Sequence, residues 1–440
     1  RTVGGRRRSC RHPLALGESD REHRPASLVS RNPDSSRSLH IEKALLERPG
    51  LGSARRCESR EWLMRDEPLA HTGGVKMFEL HVLGTSSARF SHGRSVSGSF
   101  VMTPGGSLLV DCGEGMQKRL LDHNHALKQS GLSIRTRMSR IRAILLTHGH
   151  LDHCWGVLPL LRSLALDGRR EPLTVIGPTS SAALQWSLDN PGETPPEGSG
   201  ISTTDLAILF QQWQALSNKD DDFGYEIDWV LVPMDGDAPF ESPIQPLDGV
   251  TLTMVPTEHQ IPSCGWQITC PERVGRFARA KADSLRLTMD QISRLASGED
   301  ISAGDEQLSA AEFRGVARPA QSILVSGDTI GGLPSFSKLD VAPAILLHEA
   351  TFLGELQEKA VRYNHSTAQD AAEHALASGA GLLVLTHYSS RIEDTSSLQA
   401  EAAAVHPRTV ASVEGDVFHL DGEGVVTRFR RSEGWAEDNP

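Results

Sequence analysis

Four short apolar runs in this sequence each stop at a residue that can hold a metal ion. "IRAILLT" (141–147) runs into "HGHLDH", "GVTLTMVPT" (249–257) reaches His259 two residues on, "SILVSGD" (322–328) ends in Asp328, and "LLVLTH" (382–387) ends in His387. Runs of this length and content read as buried strands. Open α/β sheets place ligand sites at the carboxyl ends of their strands. One polar residue at a strand end says little, but four constrain the fold: the sheets must bring these ends together.

The rest of the chain supplies the partners such sheets need. "FELHVLG" (78–84), "SGSFVMT" (97–103), "SLLVDCG" (107–113), "PLTVIG" (172–177), "IDWVLVPM" (227–234), "GWQIT" (265–269) and "PAILLHEAT" (343–351) read as further strands. "GMQKRLLDHNHAL" (115–127), "GVLPLLRSLALDG" (156–168) and "STAQDAAEHALASG" (366–379) read as helices, and "DNPGETPPEGSG" (189–200) as an exposed loop. The segment from Pro271 to Pro319 turns charged and helix-like, and "TVASVEGDVFHL" closes the domain. Strands with interleaved helices in both halves predict a layered α/β sandwich. His348 reads as a core or supporting histidine, and His123, His125 and His374 as surface histidines.

The first 76 residues differ in kind. They are rich in Arg, Ser and Pro and carry 16 Lys/Arg against 10 Asp/Glu, net +6, which leaves −17 for the remainder of a chain that totals −11. With few periodic apolar residues, this stretch cannot offset its ordering entropy. The expectation is a disordered tail or a mis-assigned start over 1–76, followed by one catalytic domain over 77–440. No apolar run reaches the roughly 18 residues of a membrane span. The six cysteines form no CxxC pair, which fits a reducing cytoplasm better than a disulfide framework.

His148, His150, Asp152 and His153 put four ligand-type residues into six positions. An isolated core histidine is ordinarily a hydrogen-bonding group, and four together are better explained by metal. Imidazole with carboxylate suits a borderline metal such as zinc. The alternating spacing points His148 and His150 to one side, and leaves Asp152 and His153 free to face a second ion. Asp111, in "LLVDCGEG", reads equally as a simple turn aspartate. His365 stands before a Ser/Thr-started helix, so a capping role is open to it, although Ser366 can cap in its place.

These stretches carry a resemblance. "LTHGHLDHCWG" resembles the signature of the metallo-β-lactamase superfamily. "VLGTSSARF" (82–90), "SLLVDCGEGMQKRLL" (107–121), "SCGWQI" (263–268), "VSGDT" (325–329), "LLHEATF" (346–352), "NHSTAQDAAEHA" (364–375) and "LTHYSSRI" (385–392) are similar, in order, to the ribonuclease Z branch, the transfer-RNA 3′ endonucleases. The resemblance covers about Met77 to His419. It implies an αββα sandwich of two mixed sheets flanked by helices, and two zinc ions per chain. His148, His150 and His259 would hold one ion, Asp152, His153 and His387 the other, and Asp328 would bridge them. Asp111 would orient a ligand imidazole. Asp152 would also serve as general base. His365 would protonate the leaving oxygen, with Glu349 orienting its ring. The implied substrate is precursor transfer RNA, with a homodimer as the common assembly.

The sequence departs from that pattern in two places. Ser95 stands where the family has Asn, beside a fitting Arg94. The flexible arm that grips transfer RNA in the family corresponds to an arm-like or lid insertion at about 270–320, here without a Gly-Pro tip or lysine cluster. The acidic body offers little general attraction for RNA. A phosphodiesterase of the same branch acting on small diesters or other nucleic acid is therefore the alternative, and a non-catalytic binding protein on the same fold a weaker one.

Overall fold

The computed structural model describes residues 76–217, 223–304 and 306–440, so all of the expected tail except Lys76 lies outside the described residues. Two mixed sheets face each other. In the first, nine strands run in the order Ala436–Asp438, Val426–Arg430, Val417–Asp421, Lys76–Gly84, Gly98–Thr103, Gly106–Val110, Ile141–Leu145, Leu173–Thr179 and Ile227–Pro233. Its pairings are antiparallel up to Gly106–Val110 and parallel beyond. The second has seven: Thr409–Ala411, Leu382–Thr386, Ile345–Glu349, Gln321–Val325, Cys264–Cys270, Thr251–Pro256 and Phe240–Glu241. Its first four strands are mutually parallel and the rest antiparallel.

The period of two in each strand builds the layers. Leu108 and Val110 point inward with Ile345 and Leu347 into a core between the sheets, centred on Trp266. Their neighbours Leu109 and Leu346 point outward. Leu109 joins Met116, Leu120, Leu160 and Phe210 from the helices on one side. Leu346 meets Ala368, Ala371, Ala375 and Leu398 on the other. The result is the expected αββα sandwich.

Trp266 does more than fill space. Its ring is fully buried, and its Nε1–H donates to the carbonyl of Leu146 at 2.9 Å. That bond ties the second sheet to the segment that enters the histidine turn. Trp266→Phe keeps most of the apolar bulk and orphans a buried carbonyl, so stability should fall by about 1–3 kcal/mol, measured as a lower urea midpoint with unchanged slope.

Several elements differ from expectation. Leu206–Ser217 is a helix that sequence reading passed over. The C-terminus continues past His419 through two more strands, Val426–Arg430 and Ala436–Asp438. The charged segment after Pro271 is only partly helical. It holds the helices Arg279–Ser284 and Met289–Ser297, then a two-stranded hairpin of Ile301–Ala303 with Glu306–Leu308. Its apolar side chains Ala282, Ile292, Leu295, Ile301, Leu308 and Phe313 form a small core of their own. Reciprocal backbone bonds between Arg273 and Arg318 close its neck. The helix Ala368–Ser378 is capped by Thr367 in a capping box with Asp370, not by Ser366, whose hydroxyl donates to Thr329 O.

Candidate metal centre

The strand Ile141–Leu145 delivers the chain into the gap between the sheets, and His148 to His153 turn there before the helix Val157–Leu166. The turn is pressed onto Cys112 and Gly113. A Cβ on Gly156 would sit 2.2 Å from Gly113 O, and one on Gly113 would sit 2.2 Å from Asp152 O, so both positions admit only glycine. His259, Asp328 and His387 reach the same gap from the second sheet. The loops there hold residues in the left-handed region, Asp111 (φ 59°), Asn364 (φ 54°) and His387 (φ 58°). Strain of this kind persists where surrounding structure enforces it.

All seven residues singled out as ligands come together. Nε2 of His148 lies 3.1 Å from Nδ1 of His150, which lies 3.1 Å from Nε2 of His259. Asp328 Oδ2 stands 3.8 and 3.9 Å from the His148 and His259 nitrogens. On the other side, Nε2 of His153 and Nε2 of His387 are 3.1 Å apart. Asp152 Oδ2 is 3.7 and 3.5 Å from them, and Asp328 Oδ1 is 3.4 and 3.3 Å. Asp328 thus presents one oxygen to each group.

The donor set fits metal on a specific ground. His259 Nδ1 donates to the carbonyl of Asn364 at 2.6 Å, and His153 Nδ1 to Asp111 Oδ2 at 2.7 Å. Those bonds place the ring proton on the outer nitrogen and leave the inner nitrogen a bare lone pair. Lone pairs 3.1 Å apart repel unless a cation lies between them. Two nitrogens each about 2.0–2.1 Å from a tetrahedral ion would be about 3.3 Å apart, close to what is found. Among the described residues Asp328 Oδ1 is also buried with no hydrogen-bond partner, which leaves it open to an ion.

Electrostatics agree. Burial, reinforced by neighbouring imidazoles, holds His148 and His150 below the usual histidine range, His150 to about 4. Burial likewise lowers His259. All three are therefore neutral donors. Burial opposes charge on His153, but Asp328, Asp111 and Asp152 outweigh it and favour positive charge there. A bound cation satisfies those carboxylates as a proton would. Burial opposes ionisation of Asp152 and Asp328 too, yet the histidines around them hold both carboxyls below the ordinary range.

Asp111 is no loose turn residue. It is buried, accepts from the Thr147 backbone N–H at 2.8 Å, and grips His153. Asp111→Asn would offer an amide where the ring needs an acceptor. Loss of such a partner typically weakens metal binding 10- to 100-fold, which competition with a chromophoric chelator measures.

His365 stands beside the cluster, with its Nδ1 2.9 Å from Glu349 Oε1 and 3.8 Å from Asp328 Oδ2. Burial works against charge on the ring, but Glu349 and Asp328 raise it to about 9. With Nδ1–H committed to Glu349, Nε2 is the nitrogen left for a substrate. Glu349 is itself fixed, since Thr329 N–H donates to Oε1 at 2.8 Å and the Thr351 hydroxyl to Oε2 at 2.5 Å.

Two histidines expected at the surface are buried. His123 lies on the apolar face of its helix, 3.0 Å from His81. His374 accepts from Leu333 N–H at Nε2, so its Nδ1–H donates to His348 Nε2 at 2.9 Å. His348 Nδ1–H then donates to Glu349 O at 2.7 Å. The pair thus steadies the strand end that carries Glu349. Only His125 of the three is exposed. Sequence reading also missed Ala88, in the left-handed region, whose N–H donates to Asp152 Oδ2 at 2.7 Å. Nothing in an alanine signals that contact. Arg94 binds the carbonyls of Ile392 and Glu393, and Ser95 binds Glu414 through both its N–H and its hydroxyl.

Comparison with known proteins agrees with this architecture. Residues 93–225 match the family model described as the metallo-beta-lactamase superfamily. Ribonuclease Z of Myxococcus xanthus is 30% identical over 331 residues, covering 74% of this chain and 92% of that protein. Ribonuclease Z of Gemmatimonas aurantiaca is 31% identical over 344 residues, 77% of this chain and 94% of that protein. Among solved structures, human tRNase Z, short form, superposes with a TM-score of 0.47 at 20% identity, covering 77% of this chain and 98% of that one. With nearly the whole length of two such relatives matched, the chain belongs to the ribonuclease Z family of the metallo-β-lactamase superfamily.

Proposed function

We infer that the protein is a metal-dependent endoribonuclease that removes 3′ trailers from precursor transfer RNA and leaves a 3′ hydroxyl. The observation that carries this reading is the Glu349–His365 pair. It stands next to the metal-ligand cluster, with Nδ1 committed to Glu349 and no hydrogen bond at Nε2 among the described residues. An alkoxide leaving group such as a ribose 3′ oxygen needs a proton, and this pair can deliver one.

The proposed cofactor is two zinc ions, one held by His148, His150 and His259, the other by Asp152, His153 and His387, with Asp328 shared. Such a pair supplies an acidified water and positive charge against the attacked phosphate. The remaining work belongs to side chains. Asp152, steadied by Ala88 N–H, takes the proton of the attacking water. His365 Nε2 gives one to the departing 3′ oxygen. Glu349 keeps the ring oriented and charged until then.

Among the described residues no helix is long and apolar enough to cross a membrane. Cys112, Cys154, Cys264 and Cys270 are unpaired, which supports a reducing, cytoplasmic setting. The family resemblance supports a homodimer, which sedimentation would register. The insertion favours no substrate by charge: residues 271–319 carry eight basic and eight acidic side chains, and Arg279, Lys281 and Arg294 are paired with acids. The deciding experiment is incubation with a 3′-extended precursor transfer RNA, with and without chelator. Cleavage at the acceptor-stem boundary that chelator abolishes is expected. An uncut precursor alongside rapid hydrolysis of a small diester would favour the small-diester phosphodiesterase instead.

A further inference from the structure

Among the described residues, three aromatic side chains are largely exposed, and each lies within three residues in the chain of a group that belongs to or holds the metal-ligand cluster. They are Phe90 at 50%, Trp155 at 53% and Tyr363 at 44%. Every other described Phe, Trp or Tyr is buried or half-buried. Scattered exposed apolar residues need no explanation, but confinement of exposed rings to one mouth does.

Backbone contacts locate each ring. Trp155 follows Asp152 by three residues in a helical turn, with its N–H donating to Leu151 O. Side chains three apart share a helix face, so the indole stands on the face that carries Asp152. Phe90 lies two residues beyond Ala88, whose N–H holds Asp152 Oδ2. Its ring edge is 3.9 Å from a Cβ built on Gly115, at the end of the same Gly113 turn on which the His148–His153 segment rests. Tyr363 lies across the cluster. Its carbonyl accepts from Gln260, the neighbour of His259, and the next carbonyl, that of Asn364, holds His259 itself. Arg89 and Arg362, both exposed, adjoin Phe90 and Tyr363 in the chain.

We propose that Phe90 and Trp155 on the Asp152 flank, and Tyr363 on the His259 flank, form two stacking subsites for the unpaired nucleobases on either side of the scissile phosphate. The inference rests on the endoribonuclease reading and names its specificity-determining residues. Single-stranded RNA offers a π-face at every base and is commonly held by aromatic stacking with flanking cations on the phosphates. A strand drawn past the metals must lay one base to each side of the attacked phosphate. These subsites demand unstacked nucleotides there, so a fully paired 3′ extension would be a poor substrate. The balanced charge of the insertion makes local stacking more valuable, since general attraction to phosphates is weak in so acidic a chain.

The test pairs side-chain removal with base removal. Precursor transfer RNA is prepared intact, and with an abasic ribose on one or the other side of the scissile bond. Stacking of one base contributes about a 5- to 150-fold effect on affinity. In the wild type, each abasic site should raise KM by a factor in that range. Trp155→Ala should raise KM similarly on intact RNA and make the enzyme nearly indifferent to one abasic site. Tyr363→Ala should do the same for the other, while Trp155→Phe, which keeps a ring, should recover most of the loss. Bound metal per chain is measured in parallel. If Trp155→Ala fails to fold, Trp155→Leu against Trp155→Phe carries the comparison at similar bulk. Losses that multiply independently, or variants that bind intact RNA like the wild type, overturn the proposal. A wild type that leaves intact precursor uncut while hydrolysing a small diester sinks the endoribonuclease reading and this one with it. A wild type that cuts the precursor and ignores abasic sites sinks the subsites alone.

Discussion

Asp328→Ala is expected to release metal and abolish hydrolysis together. The Asp328 carboxylate stands within 4 Å of ligand nitrogens in both groups, through Oδ2 on the His148/His259 side and Oδ1 on the His153/His387 side. Its loss removes a donor from each group and the negative charge that would hold two cations near one another. Elemental analysis should find well below two ions per chain. Activity on every substrate should fall together, because in the proposed two-zinc centre both ions would act on the attacking water. Asp328→Asn keeps the size and removes the charge, so it should also lose metal. Two tightly retained zinc ions in either variant would refute the shared-ligand assignment. The free variant should remain folded, since Asp328 sits at the edge of the inter-sheet core rather than within it.

His365→Ala should leave metal content intact and separate substrates by leaving group. General acid catalysis contributes about 100- to 10,000-fold, so transfer-RNA cleavage should slow by a factor in that range. A small diester with an acidic phenol leaving group needs little protonation and should lose far less. Glu349→Gln should give a milder split, since it disturbs orientation and charge but not the proton donor. The pH profile offers a second readout. The acid must be protonated, so the rate should fall as pH rises through its pKa. That limb should lie between the ordinary 6.5 and about 9, because bound cations offset the support of Asp328 but leave that of Glu349. In Glu349→Gln the limb should move to lower pH. Equal losses on both substrates would take His365 out of the mechanism.

What the sequence disclosed and what it hid follow from range. A buried strand announces itself locally through its apolar run, and its last residue is local too, so His148, Asp328 and His387 were legible at once. Their convergence could be expected from the rule for strand ends. His123 and His374 were misjudged for a different reason. His123 shares a face with Met116, Leu120 and Leu127, a periodicity visible in the sequence but overruled by the polarity of imidazole. His374 is buried because His348 and Leu333 complete its hydrogen bonds, and those partners lie 26 and 41 residues away. The contact of Ala88 with Asp152 uses only backbone, which no side-chain pattern records. The helix Leu206–Ser217 followed a long polar loop that obscured its start, and the hairpin within 271–319 was masked by the helical composition around it.

The insertion leaves the second sheet at Cys270 and rejoins it at Gln321, two residues that face each other in the antiparallel ladder of Cys264–Cys270 with Gln321–Val325. The sheet therefore sees it as a hairpin turn, whatever its length. Its root lies at the opposite end of those strands from His259 and Asp328. Since its described hydrogen bonds run among its own residues and its small core is separate, it can melt without opening the sandwich. Amide exchange should show this directly, with protons of Met289–Ser297 trading with solvent through a local opening while those of Gln321–Val325 wait for global unfolding. Such a cassette is free to change in sequence, length and grip from one relative to the next, while the residues around the metals stay where the strands put them.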